Sequence, residues 1–131
     1  LLALLLDRGA DINALGGHYG TALQAAAAYP GPEGNVEVVR FLLERGAVIN
    51  TAGGIFGNAL QAAALNRGNE KVVKLLLDNG ADINSSGGKY GSAVQAAARG
   101  GSDQIIEMLL DNGADVNAPG GKYGSALQAA A

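Results

Sequence analysis

The chain has 131 residues, of which 16% are charged, and a formal net charge of −3 at pH 7. Charge is sparse beside the ~25% usual for soluble domains, and its sign speaks against a nucleic-acid role, which needs a basic face to neutralise phosphates. With no cysteine and one histidine, a zinc site, a thiol nucleophile and a disulfide framework are excluded, in keeping with an intracellular protein of the cytoplasm or nucleus.

Leu1 to Leu6 reads as helix core, not as a targeting segment. No basic stretch precedes it, Asp7 ends it, and the same Leu-Leu-Leu-Asp run recurs at Leu75 to Asp78. No apolar run approaches the ~20 residues needed to span a bilayer. Next comes Gly9-Ala-Asp-Ile-Asn13, a phrase spelled again, with small changes, at Gly46 to Asn50, Gly80 to Asn84 and Gly113 to Asn117. Each is followed by a stretch rich in Gly, Asn and Ser, such as Asp82 to Gly91, which reads as a hairpin-like finger too short for an independent sheet.

A helix follows each finger. Thr21, Asn58, Ser92 and Ser125 are N-cap types, and each precedes Ala-(Leu/Val)-Gln-Ala-Ala-Ala, a run of strong helix formers. First helices are therefore expected over Ala22 to Ala28, Ala59 to Leu65, Ala93 to Arg99 and from Ala126 onward. The segment Tyr29-Pro-Gly-Pro-Glu33 reads as a surface loop, because two prolines break helix and ladder alike. A second helix then carries apolar pairs at helical spacing: Val38, Val39, Leu42 and Leu43; Val72, Val73, Leu76 and Leu77; Ile105, Ile106, Leu109 and Leu110. These predict one buried stripe per helix. Gly46, Gly80 and Gly113 end the second helices, where a left-handed residue suits glycine best.

Successive phrases are 37, 34 and 33 residues apart, a period that signals a stacked repeat array. The distance from the helix-ending Gly to the Gln of the following first helix is 15 residues in all four copies. From the turn glycines Gly34, Gly68 and Gly101 to the next helix-ending Gly it is 12 in all three. Only the turn between the two helices varies, so insertions are confined to one edge. An array offers an extended surface, not one pocket built by the fold, which makes binding the default reading.

The pattern resembles the ankyrin repeat family, which reads in outline Gly-x-Thr-Pro-Leu-His-x-Ala-Ala, a turn, a Val-Val-x-Leu-Leu-Leu helix, then Gly-Ala-Asp-x-Asn. The resemblance covers the whole chain: a back half over 1–13, complete repeats over 14–50, 51–84 and 85–117, and a front half over 118–131. It implies an all-α solenoid of stacked helix-turn-helix units with finger-like β-turn loops. Starting and stopping within a repeat, the chain reads as a piece of a longer protein. Two departures are consistent: the family's Pro is Ala22, Ala59, Ala93 and Ala126, and its His is Gln24, Gln61, Gln95 and Gln128. The Gly-Gly-x-Tyr-Gly-x-Ala-Leu-Gln variant is similar to arrays in large multidomain proteins of filamentous fungi, often behind nucleotide-binding signalling modules.

The four glutamines can donate and accept, and are expected to bridge one finger to the next, as His does in the family; the alternative is recognition of a partner. Asn13, Asn50, Asn84 and Asn117 read as finger braces that bond local backbone, and Asp11, Asp82 and Asp115 as solvated turn residues. Tyr19, Phe56, Tyr90 and Tyr123 share one register and predict a row of rings along the fingers. Each ring either covers its own glycine-rich finger, the favoured reading, or anchors a partner. The residues that differ between copies are the better candidates for partner selection: Leu15, His18, Ile55, Ser86, Lys89, Pro119 and Lys122. His18 has no Ser, Cys or carboxylate at a spacing that would make a triad. Gly87-Gly-Lys-Tyr-Gly-Ser92 lacks the ending and the preceding strand of a phosphate loop.

The expected function is a protein-interaction scaffold that binds a partner through its finger loops and the first-helix, concave face. The alternative is an intramolecular spacer or regulatory arm of a larger signalling protein. No enzymatic activity, cofactor, metal, nucleic acid, membrane or small-molecule substrate is expected.

Overall fold

A computed structural model describes residues 1–29 and 35–131. Of the expected insertion loop, only Tyr29 lies among the described residues, and it is exposed; the turn glycine Gly34 also lies outside them. Among the described residues there are eight helices, α1 (Leu2–Asp7), α2 (Ala22–Ala28), α3 (Val36–Glu44), α4 (Ala59–Ala64), α5 (Glu70–Asp78), α6 (Ala93–Gly100), α7 (Asp103–Asp111) and α8 (Ala126–Ala130). None is long and apolar enough to cross a membrane.

The helices stand in two files. First helices α2, α4, α6 and α8 pack side by side in sequence order, second helices α3, α5 and α7 form the other file, and each of α2, α4 and α6 packs on the second helix of its own repeat. The first-helix file is the closer one, because alanine at most of its positions lets backbones approach. Gly100 shows how close the approach is: an added Cβ there would run into the carbonyl oxygen of Leu65 on the preceding repeat. Leu23, Leu60 and Val94 from the first helices meet Val39, Leu42, Val72, Val73, Leu76, Ile105 and Leu109 from the second in one continuous core, each side chain contributing roughly 1.5–3 kcal/mol of burial.

Both ends of the repeat are closed as its local sequence dictates. The side chains of Thr21, Asn58, Ser92 and Ser125 accept from the backbone amides of Gln24, Gln61, Gln95 and Gln128, and for Thr21 and Asn58 the glutamine side chain accepts the cap residue's own amide in return, a reciprocal pairing that satisfies two orphan donors. At the other end, Ala47 N donates to Leu42 O at 3.0 Å and Gly46 N to Leu43 O at 3.2 Å, with Gly46 at φ +98°. That is the Schellman closure, and it repeats after α1, α5 and α7.

The second-helix stripe is narrower than the apolar pairs suggest. Val39, Leu42, Val72, Val73, Leu76, Ile105 and Leu109 are buried, but Val38, Leu43, Leu77 and Ile106 are half-buried and Leu110 is exposed. At 100° per residue the members of each quartet spread around the helix, and only those turned onto the first-helix file are covered. The turn between helices is an anchor as well as a connector. Fully buried Asn69 donates to Ala27 O and Ala63 O, both at 3.2 Å, and Asn66 donates to Ala28 O at 2.8 Å. Both asparagines thereby tie their turn to the C-terminal end of the preceding repeat's α2.

Candidate functional site

Each finger is a five-residue loop closed by one backbone hydrogen bond: Gly16 N to Gly20 O at 2.9 Å, Gly53 N to Gly57 O at 2.8 Å, Gly87 N to Gly91 O at 2.8 Å and Gly120 N to Gly124 O at 3.0 Å. As the sequence implies, no independent sheet results, only isolated antiparallel bridges. In the three fingers that pack on a preceding one, the second glycine (Gly54, Gly88 or Gly121) is obligatory for two reasons. Gly88 has φ +67°, and a Cβ there would collide with the backbone of Phe56 and Gly57 on the preceding finger.

Glutamine bridges the fingers. Gln24 Nε2 donates to Thr51 O at 3.2 Å, to Gly53 O at 2.9 Å and, more closely still, to Gly57 O. Gln61 Nε2 reaches Ser85 O at 3.4 Å, Gly87 O at 3.0 Å and Gly91 O at 2.6 Å, and Gln95 Nε2 reaches Gly120 O at 2.8 Å. These three glutamines are buried within the finger-to-finger contacts.

The asparagines act differently from the local role expected of them. Asn13 Nδ2 donates to Gly46 O at 3.2 Å while its Oδ1 accepts from Val48 N at 2.8 Å. Asn50 does the same with Gly80 and Asp82, and Asn84 with Gly113 and Asp115. Each is a clip onto the next repeat, a task that needs a side chain able to donate and accept. Local turn closure falls to the acceptor-only aspartates: Asp11, Asp82 and Asp115 accept from the amide two residues on, at 2.9, 3.1 and 2.9 Å.

The fingers are also hydrogen-bonded to each other at their tips. Ile55 N donates to His18 O at 2.9 Å, Lys89 N to Ile55 O at 2.8 Å and Lys122 N to Lys89 O at 2.7 Å. Residues that differ between copies thus occupy successive rungs of one ladder, at the separation of neighbouring β-strands (~4.8 Å) and not the 8–10 Å of packed helices. Beside this file runs the aromatic row. Ring centroids are 5.9 Å apart for Tyr19 and Phe56, 6.2 Å for Phe56 and Tyr90, and 6.1 Å for Tyr90 and Tyr123, with interplanar angles of 30°, 12° and 9°. The row is as expected, and its rings lie on those of adjacent repeats. Phe56, Tyr90 and Tyr123 are half-buried against the core.

Of the candidate residues, Leu15 and Tyr19 are exposed, at 59% and 42%, and His18, Ser86, Lys89, Pro119 and Lys122 are exposed too; Ile55 is half-buried. His18 sets its ring edge-on to Tyr19, with centroids 4.9 Å apart. The first-helix face offers a partner far less than the fingers do: every residue of 59–64 and 93–98 is buried. Ala22 and Ala25 of α2 and Leu127, Gln128 and Ala130 of α8 are exposed, and so is Arg99, near the end of α6, which sequence reasoning missed. Arg99 Nε donates to the Tyr123 hydroxyl at 3.0 Å, and its guanidinium lies 5.7 Å from that ring's centroid. The equivalent positions hold Ala28 and Leu65, so the rule that copies differ where recognition happens could have found it.

Charge is segregated by segment. All 12 Asp and Glu lie outside the finger and first-helix segments 14–29, 51–65, 85–99 and 118–131, whereas Lys89, Arg99 and Lys122 lie inside them. Lys89 Nζ sits 5.5 Å from the Tyr90 centroid and Lys122 Nζ 5.5 Å from that of Tyr123. The hydrogen bond from Arg99 first of all, then the positive charges of Arg99, Lys122 and Lys89, hold the Tyr123 phenol below the usual tyrosine range, against an opposing effect of desolvation.

The chain matches the family model of ankyrin repeats in three copies over residues 53–120 and that of ankyrin repeats in many copies over residues 23–77. No curated protein matches it significantly.

Proposed function

Because the chain belongs to the ankyrin repeat family, whose arrays are generally protein–protein interaction modules, we propose that it holds a protein partner along its finger row, with the exposed end of α6 as the first-helix contribution. The ladder of His18, Ile55, Lys89 and Lys122 carries this reading. It presents copy-specific side chains in one file on a scaffold whose glutamines and asparagines are spent on holding the repeats together. Leu15, Ser86 and Pro119 flank that file, and Tyr19, Phe56, Tyr90 and Tyr123 form its aromatic floor. A rigid backbone file lowers the ordering cost of binding. The reading is of a binding module and not a catalyst, and the absence of cysteine supports an intracellular setting, cytoplasm or nucleus.

The test compares the chain with a variant carrying Leu15→Ser, His18→Ser, Ile55→Ser, Lys89→Ser and Lys122→Ser, both used as bait, with cross-links mapped by mass spectrometry. A partner that cross-links to the fingers of the first and is lost from the second is the expected result. Equal retention by both, with helicity intact, would overturn the proposal. Absence of any partner would favour an arm that contacts its own polypeptide.

A further inference from the structure

Net charge conceals the character of the finger row. Its first half presents Leu15, His18 and Ile55; its second half presents Lys89 and Lys122 on adjacent rungs, with Arg99 joining them across Tyr123. Like charges gathered on one face repel unless an anion lies between them, and among the described residues no carboxylate pairs with these three. Among the described residues, Arg40 pairs with Glu37, Arg45 with Asp7 and Lys74 with Asp78, all on second helices or just past their ends. Lys89, Arg99 and Lys122 instead lie over the faces of Tyr90 and Tyr123, which offsets repulsion by cation–π attraction and leaves ammonium and guanidinium donors open to solvent.

Resting on the function proposed above, we infer that the partner segment is acidic: an extended stretch whose Asp or Glu carboxylates bridge Lys89, Lys122 and Arg99, and whose apolar side chains lie toward Ile55 and Leu15. Chemistry favours carboxylates in an extended chain. Lys89 and Lys122 stand one rung apart, Arg99 can offer a carboxylate its remaining guanidinium N–H donors, and an extended peptide places alternate side chains on one face. The lowered phenol of Tyr123 agrees with a site of positive potential.

The experiment uses the full chain and short fluorescein-labelled peptides: one alternating glutamate and leucine, one with lysine for glutamate, one with serine for glutamate and one with phosphoserine for glutamate. Binding is read by fluorescence anisotropy. The glutamate peptide should bind, weaken as salt is raised, and lose at least about tenfold in affinity in Lys89→Glu/Lys122→Glu. Lys89→Gln/Lys122→Gln, which introduces no repulsion, should lose less but measurably. Lys74→Glu, on the outer helix file, should leave affinity unchanged. The inference falls if the serine or lysine peptide binds as well as the glutamate one, if both double variants bind normally, or if phosphoserine binds at least about tenfold more tightly, which would point to a phosphorylated partner. A partner still held through Leu15 and Ile55 by a chain indifferent to the glutamate peptide would leave the docking surface standing and remove only its acidic specificity.

Discussion

The amide of Lys122 donates to the carbonyl of Lys89 at 2.7 Å, so two lysines 33 residues apart in sequence stand on neighbouring rungs of one ladder. The same geometry that holds the repeats in register also decides which side chains are displayed together.

Gln61 is the clearest test of that register. Its Oε1 accepts from Asn58 N at 2.7 Å, and its Nε2 donates to Gly87 O and Gly91 O. Gln61→Ala strands the buried amide of Asn58 and the carbonyl of Gly87, takes one of two donors from Gly91 O, and should cost about 2–4 kcal/mol in urea unfolding. Gln128 is exposed, and its side chain bridges no finger among the described residues; it should tolerate the same change within ~0.5 kcal/mol. Equal costs at the two sites would contradict the bridging role.

Two glycines separate backbone strain from crowding. Gly80 has φ +89° and open space around an added Cβ, whereas Gly88 combines φ +67° with backbone contact to the preceding finger. Gly80→Ala should cost about 1–2 kcal/mol, the penalty of the left-handed conformation alone. Gly88→Ala should cost more, because one finger must move off another, and should loosen the ladder between Ile55 and Lys89. Faster amide exchange at Lys89 in the Gly88 variant checks the second half of this expectation.

The aromatic row should show coupling between neighbours. Phe56 lies between Tyr19 and Tyr90. In a double-mutant cycle, Phe56→Leu and Tyr90→Leu should couple by about 0.5–1.5 kcal/mol, and Tyr19 with Tyr123, which are separated by two intervening rings, should not couple. Additive effects for Phe56 and Tyr90 would reduce the row to four independent covers.

Tyr123 provides a pH readout of the cationic patch. Because the folded state favours its phenolate, the linked contribution to stability is fully present above the unfolded-state pKa and is lost as pH falls through the lowered folded-state pKa, so it adds nothing at neutral pH. Arg99→Ala, and to a lesser degree Lys122→Ala, should move the phenol back up toward the ordinary tyrosine range. Absorbance titration near 295 nm, with Tyr123→Phe to assign the transition, measures it; an unchanged titration in Arg99→Ala would remove Arg99 from the patch.

What could be read from residues in order was whatever is settled within one turn or one loop. The caps at Thr21, Asn58, Ser92 and Ser125, the Schellman glycines and the alternation of first and second helices all arise from interactions a few residues long, and fourfold repetition made them legible together with the stacking they imply. The reach of Gln24, Gln61 and Gln95 was also foreseeable, since a buried amide without a local partner must find one in the neighbouring copy. Only the tertiary structure decided how closely the fingers approach, and that closeness turned the asparagines into clips, set the rings on one another, buried the inner first helices over 59–64 and 93–98 and brought Lys89 and Arg99 to Lys122 and Tyr123. The physical reason is separation: apart from Lys122, which adjoins Tyr123, these groups reach partners 24 or more residues away, and the spacing between copies is set by alanine and glycine packing across the whole array, which no local rule contains.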